Sequence, residues 1–438
     1  MKVLKFGGTS LGDAARMRNV AEIVCQQSEV LVVLSAVSGT TNSLLEIVTA
    51  IKTGETSIAI DVIKGLTQRY SEYISELFYT EPAKTDANEF IQSQLSDISE
   101  IVQQKFIPSF EYHLLAKGEF ISTELFHLFL DEQGQQNSLL SALDFLRLDQ
   151  DNQPDEAFLS EQLSAKILNQ QERKIFITQG FICRNAFGEI SNLNRGGSDY
   201  SASLFGAALD CEEIQIWTDI DGMHNNDPRF IQQTQPIREL SFDEAAELAY
   251  FGAKILHPAS IKPARRKNIS VRLLNTLNPS AVGTLISKLT TRKTIKAVAA
   301  KSGITAIKIR SSEMLQAPGF LRRIFEIFEL YQTSIDMITT SEVAVSVTID
   351  DDKNLSAIEK TLAEFAHVEI DKNLSIICVV GEYLIENSRL ASKVIQSLEG
   401  ISIRMISYGG SAHNISLLVS ENLKVKALQK LHEGLFNV

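Results

Sequence analysis

The sequence predicts an α/β fold: an open, mainly parallel sheet with helices on both faces, followed by two smaller α+β units. Three observations carry that reading. Val3 to Phe6 and Val30 to Ser35 are short apolar runs without polar alternation, as in parallel strands buried on both faces. Between them, Ala14 to Gln26 sets Met17, Val20, Ile23 and Val24 on one side of a helix, and the alternation continues through Ile175–Thr178, Tyr200–Ala208 and Ile214–Trp217. Near the C-terminus an order of elements appears twice. A strand at Ile304–Ile309, a helix at Gly319–Tyr331 and strands at Ser334–Ile338 and Val343–Ile349 are matched by Leu374–Val380, Ser388–Leu398, Ile401–Ile406 and Asn414–Val419.

Between about residues 55 and 130 glycine is almost absent and the apolar spacing is helical, with Phe90, Leu95, Ile98 and Ile101 on one stripe. This stretch reads as a helical insertion between sheet strands. The first domain is expected to span 1–286, ending near Gly283-Thr284-Leu285-Ile286. A polar, basic linker follows at Ser287–Lys293, then the repeated units at 297–370 and 371–438.

The 438 residues allow two or three domains with ample core. A net charge of −12 argues against a nucleic-acid partner, which favours a basic face. An anionic ligand would then need local positive groups beside glycines. Cys25, Cys183, Cys211 and Cys378 lie far apart without a Cys-x-x-Cys, so buried thiols in a reducing cytoplasm are expected rather than a disulfide framework or a zinc site. No apolar run reaches the roughly 18 residues of a membrane span. Lys5 interrupts the N-terminal apolar stretch, which does not read as a signal peptide.

The chemistry concentrates at strand-to-helix junctions. Lys5 ends the first strand and runs into Gly7-Gly8-Thr9-Ser10, where backbone N–H groups can approach a phosphate closely. Ser35-Ala36-Val37-Ser38-Gly39-Thr40-Thr41-Asn42 follows the second strand, at the carboxyl end where open α/β sheets bind ligands. Later come Asn194-Arg195-Gly196-Gly197-Ser198-Asp199-Tyr200, Trp217-Thr218-Asp219, Asp227-Pro228-Arg229 and Gly252-Ala253-Lys254. A P-loop Gly-x-x-x-x-Gly-Lys-Ser/Thr is missing, as are the protein-kinase signatures. Each element also has a plain structural reading: Lys5 as a solvated strand end, Ser198 or Asp199 as a helix cap, Glu119 as a surface charge.

In this order the segments resemble the aspartokinases, ATP-dependent kinases of the amino-acid kinase family, and the repeated units resemble tandem ACT domains. The resemblance runs over nearly the whole chain. It implies transfer of the γ-phosphoryl group of ATP, as its Mg²⁺ complex, to the β-carboxylate of L-aspartate, with Mg²⁺ held mainly by the phosphates and not by side chains. Lys5 and Asp199 would be catalytic. Lys5, Gly7, Gly8, Ser10, Ser35, Thr218, Asp219, His224, Arg229, Lys254 and Ile255 would hold ATP, and Thr41, Glu119, Arg195 and Ser198 the aspartate. Glu119 would take the ammonium group, and Arg195 a carboxylate through its planar fork. An acceptor carboxylate is ionised at neutral pH and needs no general base, so Asp199 would position and stabilise. His224 departs from the aromatic ring usual there, and Asn194 from a glycine.

The resemblance extends to feedback control, with lysine as the expected effector and threonine as the other. Met314, Ala317, Gly319, Phe320, Leu321, Asp336, Thr340, Ser341 and Glu342 would form the effector site, although Ala317 stands where lysine-sensitive relatives often carry serine. Two acids, Asp336 and Glu342, suit a ligand with two ammonium groups, whereas the second unit has Arg404 at the place of Asp336. A homodimer through the ACT-like units is implied, and since the chain closes with the second unit, no fused dehydrogenase is expected. The alternatives are a kinase for another carboxylate, such as glutamate, and a catalytically inactive ACT sensor.

Overall fold

The computed structural model describes residues 1–436 apart from 171, 194–195, 253–255, 289–293, 312–318, 383 and 385–387. The chain divides into two compact units, one made of residues 1–223 and 256–289, the other of 224–255 and 290–438.

The first unit begins with β1 (Lys2–Phe6), a 3₁₀ turn at Gly8–Leu11, α1 (Ala14–Cys25) and β2 (Val30–Leu34). Helix α1 starts where Asp13 accepts the Arg16 N–H, and it buries Met17, Val20, Ala21 and Val24 at helical spacing. Four helices follow: α2 (Thr40–Thr53), α3 (Thr56–Leu77), α4 (Glu81–Val102) and α5 (Pro108–Glu132). Then come β3 (Asn137–Leu140), α6 (Glu156–Leu168), β4 (Ile175–Gln179), the hairpin β5 (Ile182–Arg184) and β6 (Ile190–Asn192), α7 (Gly197–Ala208) and β7 (Glu213–Thr218). The chain leaves this unit through β8 (Glu239–Ser241) and α8 (Phe242–Tyr250). It returns with α9 (Lys262–Lys267), β9 (Ser270–Asn275) and β10 (Thr284–Ser287).

Within the unit the strand order is β3-β4-β2-β1-β7-β9-β10, parallel except for β10 against β9. Leu4, Phe6, Val30, Val32 and Leu34 share a core with helices α1 to α5. Alternation turns Val3, Lys5, Leu31 and Val33 to the opposite face, where α7 packs on β1 and β2. β1 has β2 on one side and β7 on the other, so the sheet changes direction of growth at β1. The crevice outside the carboxyl ends of such strands is where open α/β sheets take ligands.

The second unit carries an antiparallel sheet ordered β12-β13-β11-β14-β16-β15. Its elements are β11 (Ile295–Arg310), α10 (Phe320–Leu330), β12 (Ile338–Thr340), β13 (Ala344–Ile349), α11 (Leu355–Ala363), β14 (His367–Gly381), α12 (Ser388–Ser397), β15 (Ile403–Tyr408), β16 (Asn414–Ser420) and α13 (Lys424–Phe436). The two repeats interleave. The first half of β11 pairs with residues 376–381 of β14 and its second half with 367–371, the register shifting between Lys301 and Ala306. The short strands expected at 304–309 and 374–380 are therefore parts of two long strands common to both repeats. The strand expected at 334–338 starts only at Ile338. Ahead of it, the Asp336 N–H goes to the Thr348 carbonyl and the Met337 N–H to the Thr348 hydroxyl, which breaks ladder pairing.

Two cores flank this sheet, one under α10 and α11 with Ile307, Val345 and Val347, the other under α12 and α13 with Ile377, Leu417 and Val419. Residues 224–250 are built onto the same unit. Asn225 accepts the Val298 N–H at 2.9 Å, Asn226 donates to the Leu428 carbonyl at 3.2 Å, and Ile231 enters the second core. Helix α8 opens with a Ser241–Glu244 capping box, and Glu247 receives Ser411 and Asn414 at 2.8 and 2.5 Å. No helix among the described residues is long and apolar enough to cross a membrane.

Leu31 is fully buried in β2. Leu31→Ala is expected to lower stability by about 2–5 kcal/mol, read as a fall in the urea midpoint of the first unit's fluorescence transition.

Candidate active site

Lys5 lies at the carboxyl end of β1, between Val33 of β2 and Ile216 of β7. Its ammonium meets Asp199 Oδ1 at 2.6 Å, and both side chains are mostly covered (12 and 17% exposed). Asp199 sits in the first turn of α7, whose N-cap is Gly196 in the left-handed region at φ +74°. The cap is backbone, so Ser198 and Asp199 are free for other partners. The Ser35 hydroxyl donates to Ser198 Oγ at 2.9 Å, tying the end of β2 to the start of α7.

The glycine turn is pressed between neighbours. Gly7 N–H donates to the Trp217 carbonyl at 3.3 Å, and the Gly8 carbonyl accepts from Ser38 N–H at 3.1 Å. A Cβ on Gly8 would stand 2.8 Å from the Ala36 carbonyl oxygen, so only glycine permits that approach. Ser10 is placed otherwise than expected. Its N–H closes the turn on Gly7, and its hydroxyl faces inward to Thr276 at 2.7 Å, 1% exposed, so it supports the loop from beneath.

Glu119 lies on the buried middle of α5, 5% exposed. Its Oε1 accepts the Ala36 N–H at 3.1 Å, and its Oε2 has no hydrogen-bond partner among the described residues. Burial pushes its pKa up to about 8 against the lowering effect of that N–H. Gly118 permits this placement, since a Cβ there would come 2.7 Å from Ala36 Cβ. Ala36 thus touches the glycine turn with its carbonyl and the buried carboxyl with its N–H. Thr41, partly exposed, opens helix α2 in the same loop.

Helix α3 clamps both loops, a role the sequence reading missed. Tyr70 shares a buried hydrogen bond with Thr40 at 2.7 Å, and Tyr73 donates to the Leu11 carbonyl at 2.9 Å. Arg69 donates to the Ser38 carbonyl. Burial raises both phenols, Tyr70 to about 12, so they stay neutral donors. A usable signal existed: Ala59, Ile63, Leu66, Tyr70, Tyr73 and Leu77 form one buried stripe, and a phenol on such a stripe must find a partner for its hydroxyl.

On the far side of β1, the Thr218 hydroxyl donates to Asp219 at 3.0 Å at the end of β7. His224 and Arg229 belong to the second unit. His224 Nδ1 and the Thr234 hydroxyl lie 2.9 Å apart, and the exposed Arg229 grips Asp227 with Nε at 2.9 Å and an Nη at 2.6 Å. Lys254 and Ile255, with Arg195, lie outside the described residues. Among the described residues no group of three or more His, Cys, Asp or Glu side chains is arranged to hold a metal ion.

Of the expected effector residues, Met314 and Ala317 are outside the described set. Gly319 caps α10 at φ +95°, with Phe320 and the exposed Leu321 in its first turn. Thr340 ends β12, and Ser341 with the exposed Glu342 forms the turn into β13. Asp336 precedes β12 rather than lying on it, and its side chain is fully covered.

The first 275 residues match the amino acid kinase family, and residues 307–365 and 377–435 match the ACT domain. The lysine-sensitive aspartokinase 3 of Escherichia coli is 34% identical over 99% of each chain. The chloroplastic aspartokinase 3 of Arabidopsis thaliana is 33% identical over 99% of this chain and 81% of its own. Among solved structures, E. coli aspartokinase III in complex with aspartate and ADP superposes with a TM-score of 0.86 at 32% identity, covering 100% of both chains. The same enzyme with lysine and aspartate gives 0.82 at 34% identity, covering 100% of this chain and 99% of its own. A parallel sheet with a lysine–aspartate pair at its switch point, joined to an interleaved ACT pair and matched end to end by such a relative, makes this chain a member of the aspartokinases within the amino acid kinase family.

Proposed function

We propose that the chain phosphorylates the β-carboxylate of L-aspartate with ATP, giving 4-phospho-L-aspartate and ADP. The observation that carries this reading is the Glu119 carboxyl, buried with an unused oxygen and joined through Ala36 to the glycine turn beside Lys5. A buried acid with a spare acceptor suits a substrate ammonium group. Aspartate would place that group on Glu119, with Thr41, Ser198 and Arg195 receiving its remaining polar atoms. A β-carboxylate oxygen then attacks the γ-phosphorus, the bond to the bridging oxygen breaks, and ADP leaves with that electron pair. Lys5 neutralises charge on the transferred group, and Asp199 holds Lys5 in place. Gly7, Gly8, Ser35, Thr218, Asp219, His224, Arg229, Lys254 and Ile255 would border the nucleotide. Mg²⁺ comes with ATP as part of that substrate.

The ACT pair supports a regulatory role, with lysine as the effector at Asp336, Glu342 and the start of α10. A homodimer through these units fits exposed Leu321, Phe325, Ile338 and Val343. We place the enzyme in the cytoplasm, which its four free cysteines support.

Three measurements test this reading. Lys5→Met should keep the fold, since the stem still packs, and lower turnover with aspartate by about 10² or more; near-normal turnover would remove Lys5 from the mechanism. Glu119 must lose its proton before it can pair with an ammonium group. The aspartate KM should therefore fall about tenfold per pH unit from pH 6.5 to near 8 and then level off. In Glu119→Gln it should be high and flat over the same range, and a wild-type-like slope in that variant excludes Glu119 as the titrating group. Asp336→Ala should raise the lysine concentration for half-inhibition by about tenfold or more, and an unchanged value would place the effector elsewhere.

A further inference from the structure

Asp336 is already occupied. Its Oδ1 accepts from the Tyr250 hydroxyl at 2.6 Å and meets the Lys301 ammonium at 2.9 Å. Its side chain is fully covered, and Oδ2 has no hydrogen-bond partner among the described residues. Lys301 also reaches Asp350 at 2.7 Å and stands 4.4 Å from the centre of the Tyr250 ring. Tyr250 is the last residue of α8, and the chain continues from it through Phe251 and Gly252 to the segment that carries Lys254.

We propose that Tyr250 and Lys301 form a clasp on Asp336 that excludes a diamino effector, so that the effector and helix α8 compete for one carboxylate; this rests on the reading of Asp336 as an effector residue. No ligand ammonium reaches Asp336 while the clasp is closed, because the carboxylate has no exposed surface. The clasp can open without stranding its parts. Lys301 keeps Asp350 as a counterion, and Tyr250, 40% exposed, can turn its hydroxyl to water. Burial works to lower the Lys301 pKa, but Asp350 and Asp336 outweigh it and hold that pKa above the usual lysine value. A second ammonium on Asp336 would therefore face a like charge until Lys301 withdrew to Asp350. The ligand's arrival frees the C-terminal end of α8, the helix that leads toward the proposed nucleotide residues. By linkage, whatever favours the closed clasp weakens the effector by the same factor.

The partners of one hydrogen bond then have opposite mutant phenotypes, which a merely structural role does not produce. Tyr250→Phe keeps the ring that packs on Phe251 and Lys301 and removes only the hydroxyl. In the full-length protein we expect its turnover without lysine to match the wild type. Half-inhibition by L-lysine should need about tenfold less ligand, with a matching drop in the calorimetric Kd. Asp336→Ala should move both values up. Lys301→Met, which deletes the competing cation, should also tighten lysine binding. An unchanged or raised lysine requirement in Tyr250→Phe, with Asp336→Ala still resistant, overturns the clasp and leaves the effector site standing. Weaker lysine binding in Lys301→Met overturns it as well. A wild-type protein that binds no lysine overturns the effector reading and the clasp together.

Discussion

The ion pair between Lys5 and Asp199 is the constraint around which the first unit is arranged. β1 is the central strand, and its apolar residues Val3, Leu4 and Phe6 are fully buried, so a charge on it is tolerable only at an end and only with a partner. Asp199 supplies that partner from the first turn of α7, where the helix dipole already favours an acid. Holding Asp199 there fixes the start of α7. That in turn brings Ser198 to Ser35 and lines up the ends of β1, β2 and α7 around one crevice. A mostly covered pair of this kind gains little for stability, because desolvation offsets much of the attraction. Its effect is to fix the Lys5 ammonium at the carboxyl end of β1, at the mouth of that crevice.

The helical segment between β2 and β3 completes the crevice from the other face of the sheet. α5 brings the Glu119 carboxyl against Ala36, and α3 pins the glycine turn and the β2–α2 loop through Tyr73, Tyr70 and Arg69. Loops that bind substrates are ordinarily the mobile parts of a fold. Here the glycine turn and the β2–α2 loop each have a buried hydroxyl anchor from a long helix, which holds the residues between the anchors in place.

The second unit holds more than its antiparallel sheet. The segment with His224 and Arg229, and the helix α8 that follows it, are built on the interleaved ACT sheet through Asn225, Asn226, Ile231 and Glu247. His224 and Arg229, proposed to border the nucleotide, thus belong to the second unit.

Much of this was legible in the sequence. Unalternated strands at 3–6 and 30–35, helical spacing at 14–26 and the glycine turn after Lys5 are local signals, and each led to the observed element because burial on both faces leaves a distinct residue pattern. The repeated C-terminal order was legible for the same reason. What the sequence could not decide was which distant residues share a neighbour. Ser10 looks like a ligand-facing hydroxyl until Thr276 is seen beneath it, and Tyr70 and Tyr73 look like core aromatics until their hydroxyls are found on the loops. Nor does linear order reveal that β11 and β14 each serve both repeats, or that Asp336 is covered by Tyr250 and Lys301. Periodicity along a chain reports which side of an element is buried. Hydrogen-bond partners and the protonation of a buried acid such as Glu119 depend on what arrives from elsewhere, and only the tertiary structure decides that.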